Sequence, residues 1–269
     1  MSNHNAIRST HDPASAFAGI RILVCGASGN LGGHIARQLA EHGANLSLWG
    51  RNLQTLADVA GSCREAGADV ETRSVDLCAV EAALAALKQD DDLSPFDCAF
   101  FVSGAGDTRE PDRKIESAQQ IIMLGLVNYV APAALVAELG DRMAARGTGR
   151  IAIVGTAAAS HPLPFAAGYT SSKSGLSHFA EAMRVALKPH GVSVTLISPG
   201  FFAPTADDPY SYARPGEISP QVVAQRAIRA TALRRTELVT PWYFLILRWI
   251  AQALPRSVRD RLLQLLPAP

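Results

Sequence analysis

Seven short apolar runs, each leading into turn residues and then, for most, a stretch of helical period, recur along this 269-residue chain. That alternation narrows the fold more than any other feature. The runs fall at 20–25, 45–49, 70–75, 98–102, 150–154, 192–197 and 237–240. The first, IRILVC, is apolar almost throughout, as a strand covered on both faces must be. Between the runs, Leu31, Ile35, Leu39 and Ala40 repeat with helical period until Gly43, a natural C-cap. Further helices are predicted over 53–64, 80–88, about 113–146, 168–189 and 220–232, the last opened by Ser219-Pro220. Strands alternating with helices predict an α/β chain built on a doubly wound parallel sheet of about seven strands. Such a sheet binds ligands beyond the carboxyl ends of its strands.

Composition excludes several classes of protein. A formal net charge of +1 gives no reason to expect a nucleic-acid partner, and 48% apolar against 18% charged residues is too much core material for disorder. Cys25, Cys63, Cys78 and Cys98 form neither a metal-type CxxC pair nor a disulfide framework, which fits a reducing, cytoplasmic setting. Residues 1–19 are expected to be a flexible tail without the features of a secretory signal. The apolar run 242–247 is broken by Arg248, far short of the roughly 20 residues that span a bilayer, so no transmembrane helix is expected.

Two segments carry chemistry. Cys25-Gly-Ala-Ser-Gly-Asn-Leu-Gly32 joins a strand to a helix, where missing side chains let backbone N–H groups and the helix dipole approach a pyrophosphate. The same glycines could serve only tight packing. Tyr169 and Lys173, four residues apart, share one face of a predicted helix. A neighbouring ammonium favours phenolate, so the pair is expected to lower the tyrosine pKa from about 10 towards working pH and make it a tuned acid/base.

With these motifs in order, the chain over roughly 20–240 resembles the short-chain dehydrogenase/reductase family, whose domain is Rossmann-type. Tyr169 and Lys173 match its YxxxK pair, Thr156 stands at the position of its usual catalytic serine, and Asn128 matches its catalytic asparagine. The resemblance implies hydride transfer between a nicotinamide and a carbonyl or alcohol carbon. Tyr169 would move the proton, Thr156 hold the substrate oxygen, Lys173 bind the nicotinamide ribose, and Asn128 anchor a relay water. It also implies a cofactor site of Gly26, Ser28, Gly29, Asn30, Leu31 and Gly32, then Asp76-Leu77 at the adenine, Ser103-Gly104-Ala105, Tyr169 and Lys173, and Pro199, Gly200 and Phe202.

The glycine loop departs from the family's usual TGxxxGxG: Cys25 replaces the threonine, Asn30 the middle glycine, and Gly26, Gly29 and Gly32 fall in the GxxGxxG spacing of its extended branch. Where NAD-specific members carry a carboxylate, this chain has Trp49-Gly-Arg-Asn52, and Arg51 resembles the arginine that pairs with the 2′-phosphate, so NADP(H) is expected over NAD(H).

In the family, the segment after the sixth strand covers the substrate. Phe201, Phe202, Tyr210 and Tyr212 would make an aromatic lid for a lipophilic ketone or alcohol. Residues 241–269 read as an amphipathic pair of helices, with tryptophans and arginines suited to the chain's own domain, a partner or a membrane surface. A homodimer or homotetramer is the family norm. A non-catalytic dinucleotide sensor and a nucleotide-sugar epimerase or dehydratase are the alternatives. The first usually lacks the Tyr/Lys pair, and the second needs a larger C-terminal domain.

Overall fold

The computed structural model describes residues 13–106, 113, 115–202 and 217–265. Seven strands, β1 (Arg21–Cys25), β2 (Asn45–Gly50), β3 (Val70–Ser74), β4 (Cys98–Phe101), β5 (Gly149–Val154), β6 (Val192–Pro199) and β7 (Glu237–Thr240), form one sheet. Its order is β3-β2-β1-β4-β5-β6-β7, with every pairing parallel. The order reverses between β1 and β4, which opens a crevice at their carboxyl ends.

Helices cover both faces. On one, α1 (Asn30–Glu41), α2 (Leu53–Glu65) and α7 (Pro220–Ala232) pack Ile35, Leu39, Leu56 and Ile228 against Ile22, Val24 and Leu48. On the other, α3 (Val80–Leu93), α5 (Ala131–Arg146) and α6 (Ala167–Leu187) pack Leu87, Leu135, Leu139 and Leu176 against Leu23, Phe101 and Ile153. The runs at 20–25 and 150–154 are apolar because these strands bury both sides.

Three expectations need correction. The helix expected to stop at residue 88 continues through Gln89–Leu93 because its acids are paired. Asp90 meets Arg73 at 2.5 Å, and Asp91, 2% exposed, accepts from Arg142, Arg146 and the Phe96 N–H. The tail expected over 1–19 is ordered at its end. Pro13–Phe17 forms a 3-10 turn, and Phe17 is fully buried with its ring 6.2 Å from that of Phe100.

The third is the tract expected over 113–146. It begins at α4 (Ala118–Gly125) behind a Ser117/Gln120 capping box and passes into α5 through a π turn, Leu126–Val130. Pro132 has no N–H for the Asn128 carbonyl, so the ordinary α ladder cannot run through this point. By length and composition this tract, Ala118–Arg146, is a candidate span. Here it is a sheet-covering helix, with Leu124, Asn128, Leu135 and Met143 buried.

The C-terminal pair is present as α8 (Tyr243–Ala253) and α9 (Arg256–Gln264). Phe244 of α8 packs beside Gly200 after β6, and its ring lies 6.1 Å from that of Phe201.

Candidate active site

The Cys25–Gly32 turn is built for close approach. Gly26 has φ +97°, and a Cβ there would lie 2.6 Å from the Ser103 nitrogen, while one on Gly32 would run into the Gly26 carbonyl. These two glycines are therefore required by packing whatever else they do. Gly29 and Asn30 are exposed, whereas the Leu31 side chain belongs to the core at 7% exposure. Of the loop, only main-chain groups, Ser28 and Asn30 can face a ligand.

At the β1/β4 reversal lies a cavity of about 610 Å³ whose lining includes Gly26, Ser28, Gly29, Trp49, Arg51, Leu77, Ser103 and Gly104. It reaches from the glycine turn to the end of β2, where Arg51 is exposed and Asn52 caps α2 by accepting from the Thr55 N–H at 3.0 Å. The Trp49 Nε1–H is buried without a hydrogen-bond partner. Backbone N–H groups, a guanidinium and an unspent indole donor fit a dinucleotide phosphate and its adenosine. Leu77 lines the cavity. Asp76 is exposed beside it and accepts from the Cys78 N–H at 2.9 Å.

The four candidate catalytic residues come together at the carboxyl ends of β4 and β5. Thr156, just past β5, stands near enough to the Tyr169 phenol to act on its ionisation and accepts from the Ala158 N–H at 3.3 Å. Lys173, 4% exposed, donates to the Val154 carbonyl at 3.0 Å and the Ser103 carbonyl at 3.5 Å. Gly104 makes room for it, since an added Cβ would sit 2.9 Å from Nζ and 3.3 Å from Asn128 Oδ1.

Asn128, fully buried in the π turn, spends its amide on the neighbouring loop. Oδ1 accepts from the Ala105 N–H at 2.8 Å, and Nδ2 donates to the Ala105 carbonyl at 3.0 Å and to Ser172 Oγ at 3.2 Å. Its side chain is thus a clamp on Ala105, whose main-chain N–H and carbonyl it occupies.

The expected fall in the tyrosine pKa is not found. Burial raises Tyr169, the Thr156 hydroxyl acts to lower it, and the net direction is upward. Lys173 is itself brought down to about 8 by burial. The cause is shared: both groups leave water, and the ammonium spends its donors on main-chain carbonyls instead of the phenol.

Pro199 and Gly200 stand at the end of β6, where the Gly200 N–H donates to the Thr240 carbonyl at 2.9 Å. Phe202 bridges Ile218 and packs against the core beside α7, so its ring is a packing element. Tyr210 and Tyr212 lie outside the described residues. A further residue, marked by no local motif in the sequence, joins the site. Glu116, 6% exposed, accepts from the N–H groups of Gly168 and Tyr169 at 2.7 and 3.3 Å.

A second cavity, of about 410 Å³, lies on the other side of Thr156. Its lining includes Ser174, His178 and Glu181 of α6 and Phe244, Arg248 and Trp249 of α8.

Comparison with known proteins agrees with this arrangement. The family model for short chain dehydrogenases matches residues 21–212. An uncharacterized oxidoreductase of Myxococcus xanthus is 29% identical over 244 residues, covering 88% of this chain and 94% of its own length. A ketoacyl reductase of a Nostoc strain is 28% identical over 230 residues, covering 84% and 79%. A metagenomic short-chain oxidoreductase solved in complex with NADP superposes with a TM-score of 0.71 at 25% identity, covering 83% of this chain and 97% of that one. The chain belongs to the short-chain dehydrogenase family and is a nicotinamide-dependent oxidoreductase acting on CH–OH or carbonyl groups.

Proposed function

We propose that this chain is an NADP(H)-dependent reductase of a lipophilic ketone, or the corresponding alcohol dehydrogenase, with Tyr169 as the acid/base. The observation that carries the reading is the gathering of Thr156, Tyr169 and buried Lys173 at the ends of β4 and β5, next to a dinucleotide-sized cavity. Bound NADPH would supply the hydride. Thr156 orients the substrate oxygen, Tyr169 gives it a proton, and Lys173, held over the β4 and β5 ends, binds the nicotinamide ribose. The raised pKa keeps Tyr169 protonated at neutral pH, as reduction of a carbonyl requires.

Arg51 at the mouth of the cavity, with no carboxylate at the end of β2, supports NADPH over NADH. A lipophilic substrate is supported by the aromatic wall of Phe201 and Phe244 and by the ketoacyl reductase among the relatives. The test has two arms. Arg51→Ala should weaken NADPH binding about 10- to 100-fold, the worth of a charge-assisted phosphate contact, with NADH binding unchanged. Tyr169→Phe should cut reduction of acetoacetyl-N-acetylcysteamine, a short ketoacyl thioester, by about 100-fold or more while NADPH still binds. Equal loss of both nucleotides in the first, or wild-type turnover in the second, rejects the corresponding assignment.

We also propose that α8 and α9 rest on an anionic bilayer. Trp242, Ile246, Trp249 and Ile250 form one exposed stripe, Val258, Leu262 and Leu265 another, and Arg256 and Arg261 are exposed nearby. Co-sedimentation with phosphatidylglycerol vesicles, lost in Trp242→Ala/Trp249→Ala, is expected, and absence of sedimentation by the intact protein rejects it. Self-association to a homodimer or homotetramer is assigned instead to the exposed Ile121, Ile122, Tyr129 and Val130 on the α4 side. Sedimentation velocity checks it, with a monomer at micromolar concentration as the contrary result.

A further inference from the structure

We propose that Glu116 is a positioning residue for Tyr169, acting as the N-terminal cap of α6 from outside that helix. This rests on the reading of Tyr169 as the acid/base. An α-helix begins with N–H groups that have no partner inside it, and a side chain at the N-cap usually satisfies one of them. The N-cap of α6 is Ala166, which offers no side-chain acceptor. The Glu116 carboxylate takes its place across 52 residues of sequence, with Oε2 accepting from the Gly168 N–H at 2.7 Å and Oε1 from the Tyr169 N–H at 3.3 Å.

The surroundings are shaped for this contact. Glu116 is 6% exposed, and its negative charge stands at the positive end of the α6 dipole. Gly168 carries no side chain where a Cβ would lie 3.2 Å from Glu116 Oε1 and 2.6 Å from Ile121 Cδ1. The residue after Glu116 is fixed by the capping box of α4, in which the Ser117 N–H donates to Gln120 Oε1 at 2.7 Å and the Gln120 N–H donates to Ser117 Oγ at 3.2 Å.

Tyr169 is therefore held at both ends of its main chain. Glu116 takes its N–H, and Ser172 Oγ donates to its carbonyl at 2.8 Å while accepting from Asn128. Glu116 and Asn128 bracket a single stretch, α4 and the start of the π turn. One rigid piece thus sets the catalytic helix at its first turn and clamps the Ala105 loop at its other end.

The test compares Glu116→Ala, Glu116→Gln and wild type in the full-length protein. It uses NADPH titration, amide hydrogen exchange over 166–173, and steady-state reduction of acetoacetyl-N-acetylcysteamine. In Glu116→Ala, NADPH affinity should stay within about twofold, exchange at Gly168 and Tyr169 should speed up at least tenfold, and kcat should fall at least tenfold with little change in KM. Glu116→Gln, which keeps one acceptor oxygen but turns an amide NH2 towards the second backbone N–H, should recover part of both losses. Wild-type exchange at these two amides in Glu116→Ala overturns the proposal, as does a kcat loss in Glu116→Ala that comes without faster exchange there. Should Glu116→Ala fail to fold, the exchange rates of Glu116→Gln and Glu116→Asp decide it. Failure of the wild type to reduce the thioester would count against the substrate reading alone, and the exchange data would still decide the role of Glu116.

Discussion

Replacing Lys173 by Met removes an ionisable group from a site where burial has moved its pKa from 10.5 to about 8, and the consequence for stability has a definite sign. Below pH 8 the ammonium is protonated in both folded and unfolded chains, and its burial costs the fold about 3 kcal/mol, from roughly 1.4 kcal/mol per pH unit of difference. As pH rises through 8 the folded chain releases its proton while the unfolded chain keeps it. The penalty fades until about pH 10.5. Lys173→Met also leaves the Val154 and Ser103 carbonyls without their donor, but that loss is the same at every pH.

The stability of wild type relative to Lys173→Met should therefore rise by about 2 kcal/mol between pH 7 and pH 9.5. In Tm this is about 4–8 °C for a chain of this size. Urea unfolding of both proteins across that range measures it, and subtracting one from the other cancels the titration of the remaining tyrosines and cysteines. A difference that stays flat from pH 7 to 9.5 would show that the ammonium is not desolvated, and the account of the Tyr169/Lys173 pair would fail with it.

Three further perturbations have expected outcomes. Asp91→Ala removes a carboxylate that burial acts to raise but that hydrogen bonds from Arg146, the Phe96 N–H and Arg142 hold below the usual range. Because the two arginines are about a quarter exposed and can rehydrate, the cost at pH 7 should be about 3 kcal/mol, the lower end for breaking a buried pair. That cost should begin to shrink below about pH 4, where the unfolded chain takes up the proton first, and go on shrinking as pH falls through the lower folded value; urea midpoints at pH 7 and about pH 2.5 that shift equally would contradict it. Phe17→Ala should lower stability by about 3–5 kcal/mol, and a loss under about 1 kcal/mol would mean that the N-terminal turn is not docked on Phe100. Gly104→Ala should cost about 1–3 kcal/mol by crowding Lys173 and Asn128, whereas Gly106→Ala, where an added Cβ meets nothing within 4 Å, should be close to neutral by thermal melting.

What could be read in the sequence follows from how far apart the cooperating residues lie. The strands and helices were legible because period and turn residues are local properties, and a wholly parallel sheet follows from their alternation. Tyr169 and Lys173 were legible for the same reason, four residues apart on one helix. Where the reading failed, the deciding partner is distant in sequence. The helix expected to end at residue 88 runs on because Arg142 and Arg146, about 50 residues away, neutralise Asp91. Phe17 belongs to the core because Phe100 lies under it.

The direction of the tyrosine pKa belongs to the same class. Spacing places an ammonium near a phenol but does not reveal that Lys173 Nζ is buried and turned to the carbonyls of Val154 and Ser103, nor that burial acts on the phenol as well. A carboxylate capping a helix from another element leaves no local motif at all, yet a trace was present: α6 starts at an alanine, with no Ser, Thr, Asp or Asn where a helix that carries Tyr169 and Lys173 needs an acceptor. An uncapped start on so constrained a helix implies an acceptor supplied from elsewhere, and Glu116, immediately before the Ser-x-x-Gln capping box of α4, is the acid that the fold delivers to it.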